Sequence, residues 1–558
     1  MSFIETERLR PATYASLARR RSRERLFDRL ALAILVALVC VIAITFRDYS
    51  ISTDEEVQNT YGRLLLDFYL SGLTDTRAFG YSNLYLYGGL FDLIAAAIAP
   101  FSPLPDFEAR HLLCATFGVL GIVATWRLAR LLATPRAGLL AVVLLVLCPA
   151  YYGAMFNNTK DIPFAAGMTW TLYLSCRLVA CLPRPPFRLV AWLGVAAGAS
   201  LGVRVGAVLA GLYLIPVLAL HVFDVARAGG WRASVRSATS MLLRLSPGIL
   251  IAAALMAVLW PWSVMAPGNM LLAVHDLTGF HVSTILAGRP LDSYDVPAWY
   301  VPTYLLVKLP ETLLIGLVVA LAAAAIPGRR PDRAAPLARP RQWLLVVLAA
   351  SIPVAYAVVA RPAIYNGLRH FLLVVPPLCV LAGSGIDRVL VAAGKWGGRP
   401  GMAMAAILFA AASAKDVWTM AALHPHQYVY YNLLAGGVRG ADGRYELDYW
   451  SNFMREAIDR LVRHVVAENG GHLPKRTFIV DLCTSPWPLR AYAPPQFKMT
   501  EDCRAADFFI STTNTNCHQG CDGRTIIEID RMGVALGVVK DRRDRKADDV
   551  GSRAAATR

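Results

Sequence analysis

Three consecutive carboxylates, Asp54, Glu55 and Glu56, follow a long apolar run from Leu30 to Phe46. That run approaches the roughly 20 apolar residues that a membrane-spanning helix needs, so the carboxylates lie where the chain leaves the bilayer. Helically spaced apolar residues continue from Val57 to Gly72. At a membrane surface the low dielectric raises the pKa of a carboxylate, which suits Asp54 to general-base chemistry on a lipid-borne substrate. The alternative for such a triplet is a solvated acidic loop end.

A second carboxylate, Asp161, stands at the start of another apolar run, directly after Asn158, Thr159 and Lys160. Ionisable groups at membrane depth are functional candidates. The structural alternative is that Asn158 or Thr159 caps a helix and that Asp161 complements the positive end of its dipole. Both readings are compatible with one another.

Arg369 and His370 enter an apolar run that contains Pro376 and Pro377, and Lys308 stands just inside another run. A guanidinium is well shaped to bind a phosphate, and an ammonium can meet an anionic head group. The alternative is that both cations extend to the lipid headgroups and have no ligand.

Two further polar stretches favour structural interpretations. His275, Asp276 and His281 could hold a metal ion, but their spacing is loose, so no metal site is predicted. The aromatic stretch His424 to Trp450 could stack on sugars, although an interfacial aromatic belt is the default for such residues.

The composition is that of a polytopic membrane protein. Of 558 residues, 56% are hydrophobic and 17% charged, whereas soluble proteins contain about 45–50% apolar residues. The formal net charge of +17 comes largely from arginines in short loops between apolar runs, which indicates membrane topology. No aromatic–basic pattern typical of nucleic-acid binding is found. The basic start resembles a signal peptide, but the long apolar run after it predicts an uncleaved first span.

Hydropathy and the positive-inside rule predict about eleven spans, with the N-terminus inside and the C-terminus outside. The apolar segment 84–101 is assigned to an outer hairpin, because counting it as a span would place the basic loops outside. The outer face then collects 47–108, 156–160, 267–302 and the tail from 421. The candidate spans are 29–46, 109–132, 137–155, 161–182, 188–203, 205–222, 246–266, 303–326, 342–360, 369–391 and 402–420.

The predicted fold is mainly α, a membrane helix bundle with a small extracytoplasmic α/β domain at its C-terminal end. The predicted strands are Thr477 to Asp481 and Asp507 to Ser511, with a helix within 446–469. Cys483, Cys503, Cys517 and Cys521 can form disulfides in an outer compartment, with the pairing left open and zinc as a less favoured alternative. The predicted organisation is a cytoplasmic basic segment 1–28, a transmembrane domain 29–420 with outer loops 47–108 and 267–302, an α/β domain 421–540 and a disordered tail 541–558.

Taken in order, these motifs resemble the GT-C integral-membrane glycosyltransferases, and within them the protein O-mannosyltransferase and lipid A aminoarabinose transferase branch. Asp54, with Glu55 beside it, matches the acidic residue of that group's first outer loop, and Asp161 matches the acidic residue of its second. Arg369 matches the arginine of a late Arg-Tyr-x-Leu-Pro span, with His370 in place of the tyrosine. The Pro-Pro-Leu-Tyr motif is matched only loosely, by Ser82 to Tyr85.

The resemblance implies transfer of a sugar from a polyprenyl phosphate to an acceptor hydroxyl at the outer face, with inversion. Asp54 would be the general base, and Asp161 would orient the acceptor or Asp54, or share a divalent ion; no cofactor is otherwise implied. Arg369, with Lys308, would neutralise the leaving phosphate. The residues expected to contact substrate are Glu55, Arg369, His370, Lys308 and Tyr85.

Three alternatives remain open at this point. A transporter or flippase of a lipid-linked sugar would show inverted repeats and mid-span charges, but the sequence shows no repeat and its charges gather at the outer face. The second is a non-catalytic envelope assembly protein, and the third is an oligosaccharide ligase acting on a lipid diphosphate. Arg- and Ala-rich loops favour a bacterial inner membrane; the sugar and the acceptor, whether glycan, lipid or protein, are not predicted.

Overall fold

The computed structural model describes residues 11–277, 281–325 and 338–544. Most of the predicted inner loop 327–341, the start of the basic N-terminal segment and the predicted disordered tail from 545 lie outside these ranges. The helices are α1 (Pro11–Thr45), α2 (Glu55–Leu70), α3 (Leu90–Ile98), α4 (Asp106–Leu132), α5 (Pro135–Val146), α6 (Pro149–Ala154), α7 (Asp161–Ala180), α8 (Phe187–Leu201), α9 (Leu209–Leu259), α10 (Trp262–Met265), α11 (Asn269–Leu277), α12 (Tyr300–Lys308), α13 (Glu311–Ala325), α14 (Ala338–Ala360), α15 (Val375–Trp396), α16 (Gly398–Leu423), α17 (Gly437–Ala441), α18 (Met454–Glu468) and α19 (Trp487–Tyr492). The strands are β1 (Ser283–Leu286), β2 (Arg289–Asp292), β3 (Phe478–Cys483), β4 (Phe497–Thr500), β5 (Phe508–Thr512), β6 (Arg524–Arg531) and β7 (Val534–Asp541).

Six helical segments of the described chain are long and apolar enough to cross a membrane. A seventh is added if α12 and α13, which bend by 114° at their junction, form one broken span. The chain is therefore an integral membrane protein. The six segments are Glu24–Asp48, Asp106–Leu132, Val205–Leu259, Arg339–Ala360, Arg369–Trp396 and Gly398–Leu423.

Of the other predicted spans, two fall on shorter or interrupted helices, and 161–182 corresponds to the 20-residue helix α7. The predicted span 137–155 divides into α5 and α6, and 188–203 corresponds to the 15-residue helix α8. The spans predicted at 205–222 and 246–266 lie largely in the two arms of α9, which meet at Gly230 with φ 78°. Glycine adopts that conformation readily because it has no Cβ. The count of eleven spans stays a prediction.

Small residues bring the helices of the bundle close together. A Cβ on Gly194 of α8 would stand 2.4 Å from the carbonyl oxygen of Gly248 in α9. A Cβ on Gly385 of α15 would stand at the same distance from the carbonyl oxygen of Gly316 in α13. Close approach of backbones at small residues is the usual basis of helix association in a bilayer.

Segment 84–101 consists of short helical pieces and not of one continuous spanning helix, and its assignment to an outer hairpin stays a prediction. A 3-10 turn at Leu84–Leu86 precedes α3, whose nine residues are far fewer than the roughly 20 needed to cross a bilayer. Backbone hydrogen bonds dock the segment on the bundle: the Gly89 N–H donates to Leu259 and the Leu90 N–H to Gly202.

The C-terminal part contains a five-stranded sheet in the order β4-β3-β5-β7-β6. Strand β3 pairs in parallel with β4 and β5, whereas β7 is antiparallel to β5 and β6. Both predicted strands are confirmed as β3 and β5, and the predicted helix is α18. Strand β7 continues to Asp541, one residue past the predicted domain boundary. The cysteines pair as Cys483–Cys517 and Cys503–Cys521.

The four segments predicted to share the outer face pack against one another. The first loop, 47–108, meets the tail from 421 where the Ser50 N–H donates to Asn452 Oδ1 at 2.8 Å. The first loop meets the second loop, 156–160, where Ser52 Oγ donates to the Asn157 carbonyl at 3.3 Å. The 267–302 loop meets the tail where Thr284 Oγ1 donates to Glu446 Oε1 at 2.8 Å. One side of the bundle therefore carries all four.

Candidate active site

The loop that carries Asp54 is held rigidly before it enters α2. The Tyr49 ring stacks on Phe156 at 3.7 Å, and its hydroxyl donates to Gln427 Oε1 at 2.9 Å. The Ile51 N–H donates to the Tyr492 hydroxyl at 3.1 Å. Partners from the second loop and the tail therefore fix the position of the carboxylate.

Glu55 supports this loop from inside and does not face a cavity. Its side chain is completely buried. Oε2 accepts a hydrogen bond from the Ser52 N–H at 2.7 Å, and Oε1 lies 3.1 Å from His111 Nε2. The first turn of α2 directs the Glu55 side chain into the bundle, which favours a supporting role; its contact with substrate stays a prediction.

Asp161 is buried at the start of α7 among several partners. Arg204 Nη2 lies 2.7 Å from Oδ1, and Asn158 Nδ2 donates to Oδ2 at 2.9 Å. Asn158 also accepts the Asp161 N–H at 3.0 Å, so its side chain contributes to the helix start. The capping alternative and the ionic role both hold.

Arg369 joins the two aspartates. Its Nη2 bonds Asp54 Oδ2, and its Nε donates to Asp161 Oδ2 at 3.3 Å. The guanidinium is delivered by a tight turn in which Gly367 has φ 64°, and a Cβ there would stand 2.9 Å from the Tyr304 ring. We call Asp54, Asp161, Arg204 and Arg369 the open cluster.

Cations set the ionisation of Asp54. Burial raises the pKa of this carboxyl, but the charges of Arg369 and Lys160 outweigh burial and hold the pKa below its ordinary value. Lys160 lies with Nζ 3.8 Å from the Tyr87 ring centre, and burial lowers its own pKa to about 8. The expectation of a raised Asp54 pKa is therefore wrong, because the amino-acid sequence does not show that these cations are its neighbours.

A cleft of about 210 Å³ borders the open cluster. Arg204, His370, Tyr87 and Tyr365 supply polar groups to its lining, and the ring of His370 packs against Tyr365 at 4.8 Å. The rest of the wall is largely apolar and includes Phe164, Leu209, Pro353 and Leu373. The combination suits a ligand with an anionic head and an apolar chain.

Lys308 shares a smaller cavity with Arg369, Asn366 and Tyr449. Its buried Nζ donates to the Tyr428 carbonyl at 2.8 Å and lies 3.8 Å from the centre of the Tyr431 ring. The structure thus brings the two predicted cations to one cavity, although part of the Lys308 donor capacity is already used.

Tyr85 lies away from both cavities. Its ring packs against Trp262 at 5.0 Å, and its carbonyl accepts from Trp260 Nε1 at 2.8 Å. Tyr87, two residues later, lines the cleft instead. A 3-10 turn advances by about 120° per residue, so positions two apart face different directions. Tyr87 and not Tyr85 therefore lines the cleft, and a substrate contact of Tyr85 stays a prediction that this position does not favour.

Arg204 is the residue that the sequence interpretation missed. It stands in a Gly-rich break between two predicted spans, on the side that should be poor in Arg and Lys. A cation that violates the positive-inside rule is the signal that could have identified it. Lys160 is a second cation on that predicted outer side. It follows Asn158 and Thr159 in the sequence, but the sequence interpretation gave it no role.

The surroundings of the aspartates do not fit a divalent cation. Asp54 and Asp161 are paired with guanidinium groups, and Lys160 adds a third positive charge. In the 267–302 loop, His275 pairs with Asp276 and His281 with Asp292, as two separate exposed pairs. Within the described residues one other set, Asp481 with Cys503 and Cys521, has a suitable spacing, but those cysteines form a disulfide.

Comparison with known proteins gives one family match and several similar structures. Among solved structures, the chain is similar to ArnT from Cupriavidus metallidurans bound to undecaprenyl phosphate, with 14% identity, a TM-score of 0.46, and coverage of 91% of this chain and 97% of that one. It is also similar to the Archaeoglobus fulgidus oligosaccharyltransferase in its apo form, with 13% identity, a TM-score of 0.46, and coverage of 83% and 64%. No curated protein matches the sequence. Residues 96–262 match the family described as dolichyl-phosphate-mannose-protein mannosyltransferase, which confirms over that segment the resemblance predicted from the motifs.

Proposed function

We propose that this protein is a membrane glycosyltransferase that moves a sugar from a polyprenyl-phosphate donor to an acceptor hydroxyl at the outer face. The observation that carries the proposal is the bridge of Arg369 between Asp54 and Asp161, next to a cleft with a second guanidinium and an apolar wall. The matched family is described by its use of a polyprenyl-phosphate sugar, which supports the same class of donor.

The proposed reaction is a single displacement. The acceptor oxygen forms a bond to the anomeric carbon as the bond from that carbon to the phosphate oxygen breaks, and the configuration inverts. The acceptor proton passes to the Asp54 carboxylate. The electron pair of the broken bond remains on the polyprenyl phosphate, where Arg369 and Arg204 stabilise the growing negative charge.

Donor binding would also activate the base. Without donor, the Arg369 guanidinium bonds Asp54 and holds its pKa low, which makes the carboxylate a weak base. A donor phosphate competes for the same guanidinium and weakens that bond. The pKa of Asp54 then rises, so basicity increases when the donor is in place. Asp161 keeps Arg204 and Arg369 oriented during the exchange.

The cleft wall supplies a place for the lipid. Phe164, Leu209, Pro353 and Leu373 offer apolar surface beside Arg204 and His370. The first isoprene units of the donor would lie along this wall, with the phosphate at the guanidinium groups. His370 and Lys308 would contact the head group or the sugar from the two neighbouring cavities.

The proposed location is a bacterial inner membrane, with the N-terminus in the cytoplasm and the sheet domain outside. Two features support this orientation. The hydropathy pattern predicts that the basic loops lie on the side opposite the open cluster. The disulfides Cys483–Cys517 and Cys503–Cys521 suit an oxidising compartment.

Glycan and lipid analysis of a deletion strain tests the proposal. The strain is complemented with the wild-type chain, with Asp54→Asn, or with Glu56→Gln as a matched control two residues away. Glu56 accepts a hydrogen bond from Thr60 at 3.3 Å and has no contact with the open cluster. We expect one outer-face sugar to be missing from the deletion strain and the Asp54→Asn strain, and restored by the wild type and Glu56→Gln. An unchanged sugar profile in the deletion strain, or restoration by Asp54→Asn at equal protein level, would reject the proposal.

A further inference from the structure

A second, larger groove of about 540 Å³ lies between α4, α7 and α8, apart from the open cluster. Its volume falls within the range of about 300–1,000 Å³ typical of small-molecule sites. The wall is almost entirely apolar and aromatic, and Trp170 Nε1 ties α7 to α4 by donating to the Leu120 carbonyl at 3.0 Å. Trp192 of α8 is 64% exposed at the groove. We call this the α4–α7–α8 groove.

Two arginines, Arg127 and Arg177, line the groove near the C-terminal ends of α4 and α7. Arg177 stands sixteen residues after Asp161, about 24 Å along the helix at 1.5 Å per residue. The nearby Arg130 is bound by Asp28 through contacts of 2.7 and 2.9 Å. Within the described part of the chain, neither Arg127 nor Arg177 has a carboxylate partner. The groove therefore combines a long apolar wall with two unneutralised guanidinium groups.

We propose that the α4–α7–α8 groove binds an anionic phospholipid of the leaflet away from the candidate active site. The lipid phosphate would lie on Arg127 and Arg177, since guanidinium groups bind phosphate through paired, charge-assisted hydrogen bonds. One acyl chain would follow the apolar wall toward Pro163. The ring of Trp192, five residues into α8, suits the boundary between headgroup and chain, and Trp170, at the middle of α7, adds apolar wall. An apolar face alone would accept any lipid, but two guanidinium groups select a net negative head.

The position of the arginines separates this lipid from the glycosyl donor. A phosphate bound at Arg177 would be on the order of 24 Å from Asp161 along α7, too far to take part in its chemistry. Because α7 carries Asp161 at one end and Arg177 near the other, with the groove along it, the lipid would stabilise the helix that positions the candidate site. The inference does not depend on the proposed function and needs no activity measurement.

Thermal unfolding of the purified full-length protein in detergent tests the site. Dioleoyl phosphatidylglycerol and dioleoyl phosphatidylcholine, which have the same chains, are titrated separately, with undecaprenyl phosphate and inorganic phosphate as further probes. We expect a saturable rise in the unfolding temperature with phosphatidylglycerol that exceeds the rise with phosphatidylcholine. Equal effects of the two phospholipids, or an effect of undecaprenyl phosphate or of inorganic phosphate without one of phosphatidylglycerol, would overturn the proposal.

Matched variants locate the effect. In Arg127→Gln/Arg177→Gln the apparent affinity for phosphatidylglycerol should fall about tenfold or more. Arg184→Gln/Arg188→Gln removes the same charge from exposed arginines at the same end of the bundle, outside the groove lining, and should keep the preference. Val195→Trp fills the groove while leaving both arginines, and should also reduce the preference, which provides a second test if the double variant fails to fold. A preference that survives in Val195→Trp and in the groove double variant would show that the lipid binds elsewhere.

Discussion

Arg110 and Arg369 each pair with carboxylates, and the two places differ in what surrounds them. Arg110 Nη2 lies 2.6 Å from Asp92 Oδ1, both side chains are 2% exposed, and the guanidinium packs on the Phe91 ring at 5.1 Å. Arg369 instead bonds two carboxylates, and the side chain of Asp54 is 38% exposed. We call Asp92 and Arg110 the closed pair. Both side chains of the closed pair are shielded from solvent, whereas in the open cluster an incoming phosphate is proposed to replace a partly exposed carboxylate.

This difference predicts whether removing a charged side chain should reduce mainly the stability or mainly the turnover of the protein. Two nitrogens of Arg110, Nε and Nη1, lack hydrogen-bond partners within the described residues, so the closed pair already bears an uncompensated desolvation penalty. Removing its carboxylate would leave a buried, unpaired cation. In the open cluster, the charge of Arg369 is balanced by both Asp54 and Asp161, and Asp161 also pairs with Arg204. Loss of one member there should reduce turnover more than stability.

The largest effect expected from this comparison is on turnover of Asp54→Asn. The amide cannot accept the acceptor proton, so the rate of transfer should fall by about 10²- to 10⁴-fold. Arg369 retains Asp161 as a partner, so the protein should still fold and insert. Release of polyprenyl phosphate from a donor, measured beside the thermal unfolding temperature, checks both parts. A variant with normal turnover would remove Asp54 as the base.

Asp92→Asn should instead affect the fold. Breaking a buried ion pair by removing one partner costs roughly 3–5 kcal/mol, because the remaining charge is left uncompensated. The double variant Asp92→Leu/Arg110→Met removes both charges and should lose much less stability. Asp67→Asn is the matched control: this carboxylate is 49% exposed in its ion pair with Arg77, so its loss should cost less than about 1 kcal/mol. The yield of monodisperse protein and its unfolding temperature measure this; a well-folded but inactive Asp92→Asn would place the closed pair in the chemistry.

The sequence could identify three of the four members of the open cluster for one reason. Asp54, Asp161 and Arg369 each stand at the border of a long apolar run, where an ionisable side chain is conspicuous. Arg204 lies in a one-residue gap between two predicted spans, and the sequence interpretation gave it no role. Hydropathy locates the ends of apolar runs, but it does not show which ends meet.

Ionisation and side-chain direction depended on tertiary structure that the sequence does not display. The pKa of Asp54 is lowered by Arg369, a residue 315 positions away, so burial alone predicted the wrong direction. Tyr85 and Tyr87 could not be distinguished without the 3-10 turn that separates their directions. The strands of the tail were predictable because alternating apolar residues and turn residues encode them locally.

Arg204→Gln tests whether the open cluster binds the donor phosphate. A hydrogen bond to a charged group contributes roughly 1.5–3 kcal/mol, which corresponds to about a ten- to hundredfold change in affinity. The change should appear mainly in the KM for the donor, with a smaller change in kcat. Arg63→Gln, which removes an arginine that is 59% exposed and pairs with Asp106, is the control and should leave KM unchanged. A normal donor KM in Arg204→Gln would show that the donor phosphate does not lie on the second guanidinium of the cluster.

The smallest effect expected is a shift in the pH dependence of kcat/KM. Asp54 must be ionised to act as a base, and its pKa in the free protein lies below the ordinary carboxyl value because Arg369 and Lys160 favour the charged form more than burial opposes it. Activity should therefore persist as the pH falls, until the pH passes through this lowered pKa. Lys160→Gln removes one of the two favourable charges while leaving Arg369 in place, so the pKa of Asp54 should rise and the acidic limb should move to higher pH. Lys498→Gln, an exposed lysine of the sheet domain, should leave the limb in place. If the acidic limb stays fixed in Lys160→Gln, the group that titrates in the free protein is not Asp54. The difference between the open cluster and the closed pair would then rest on donor affinity alone.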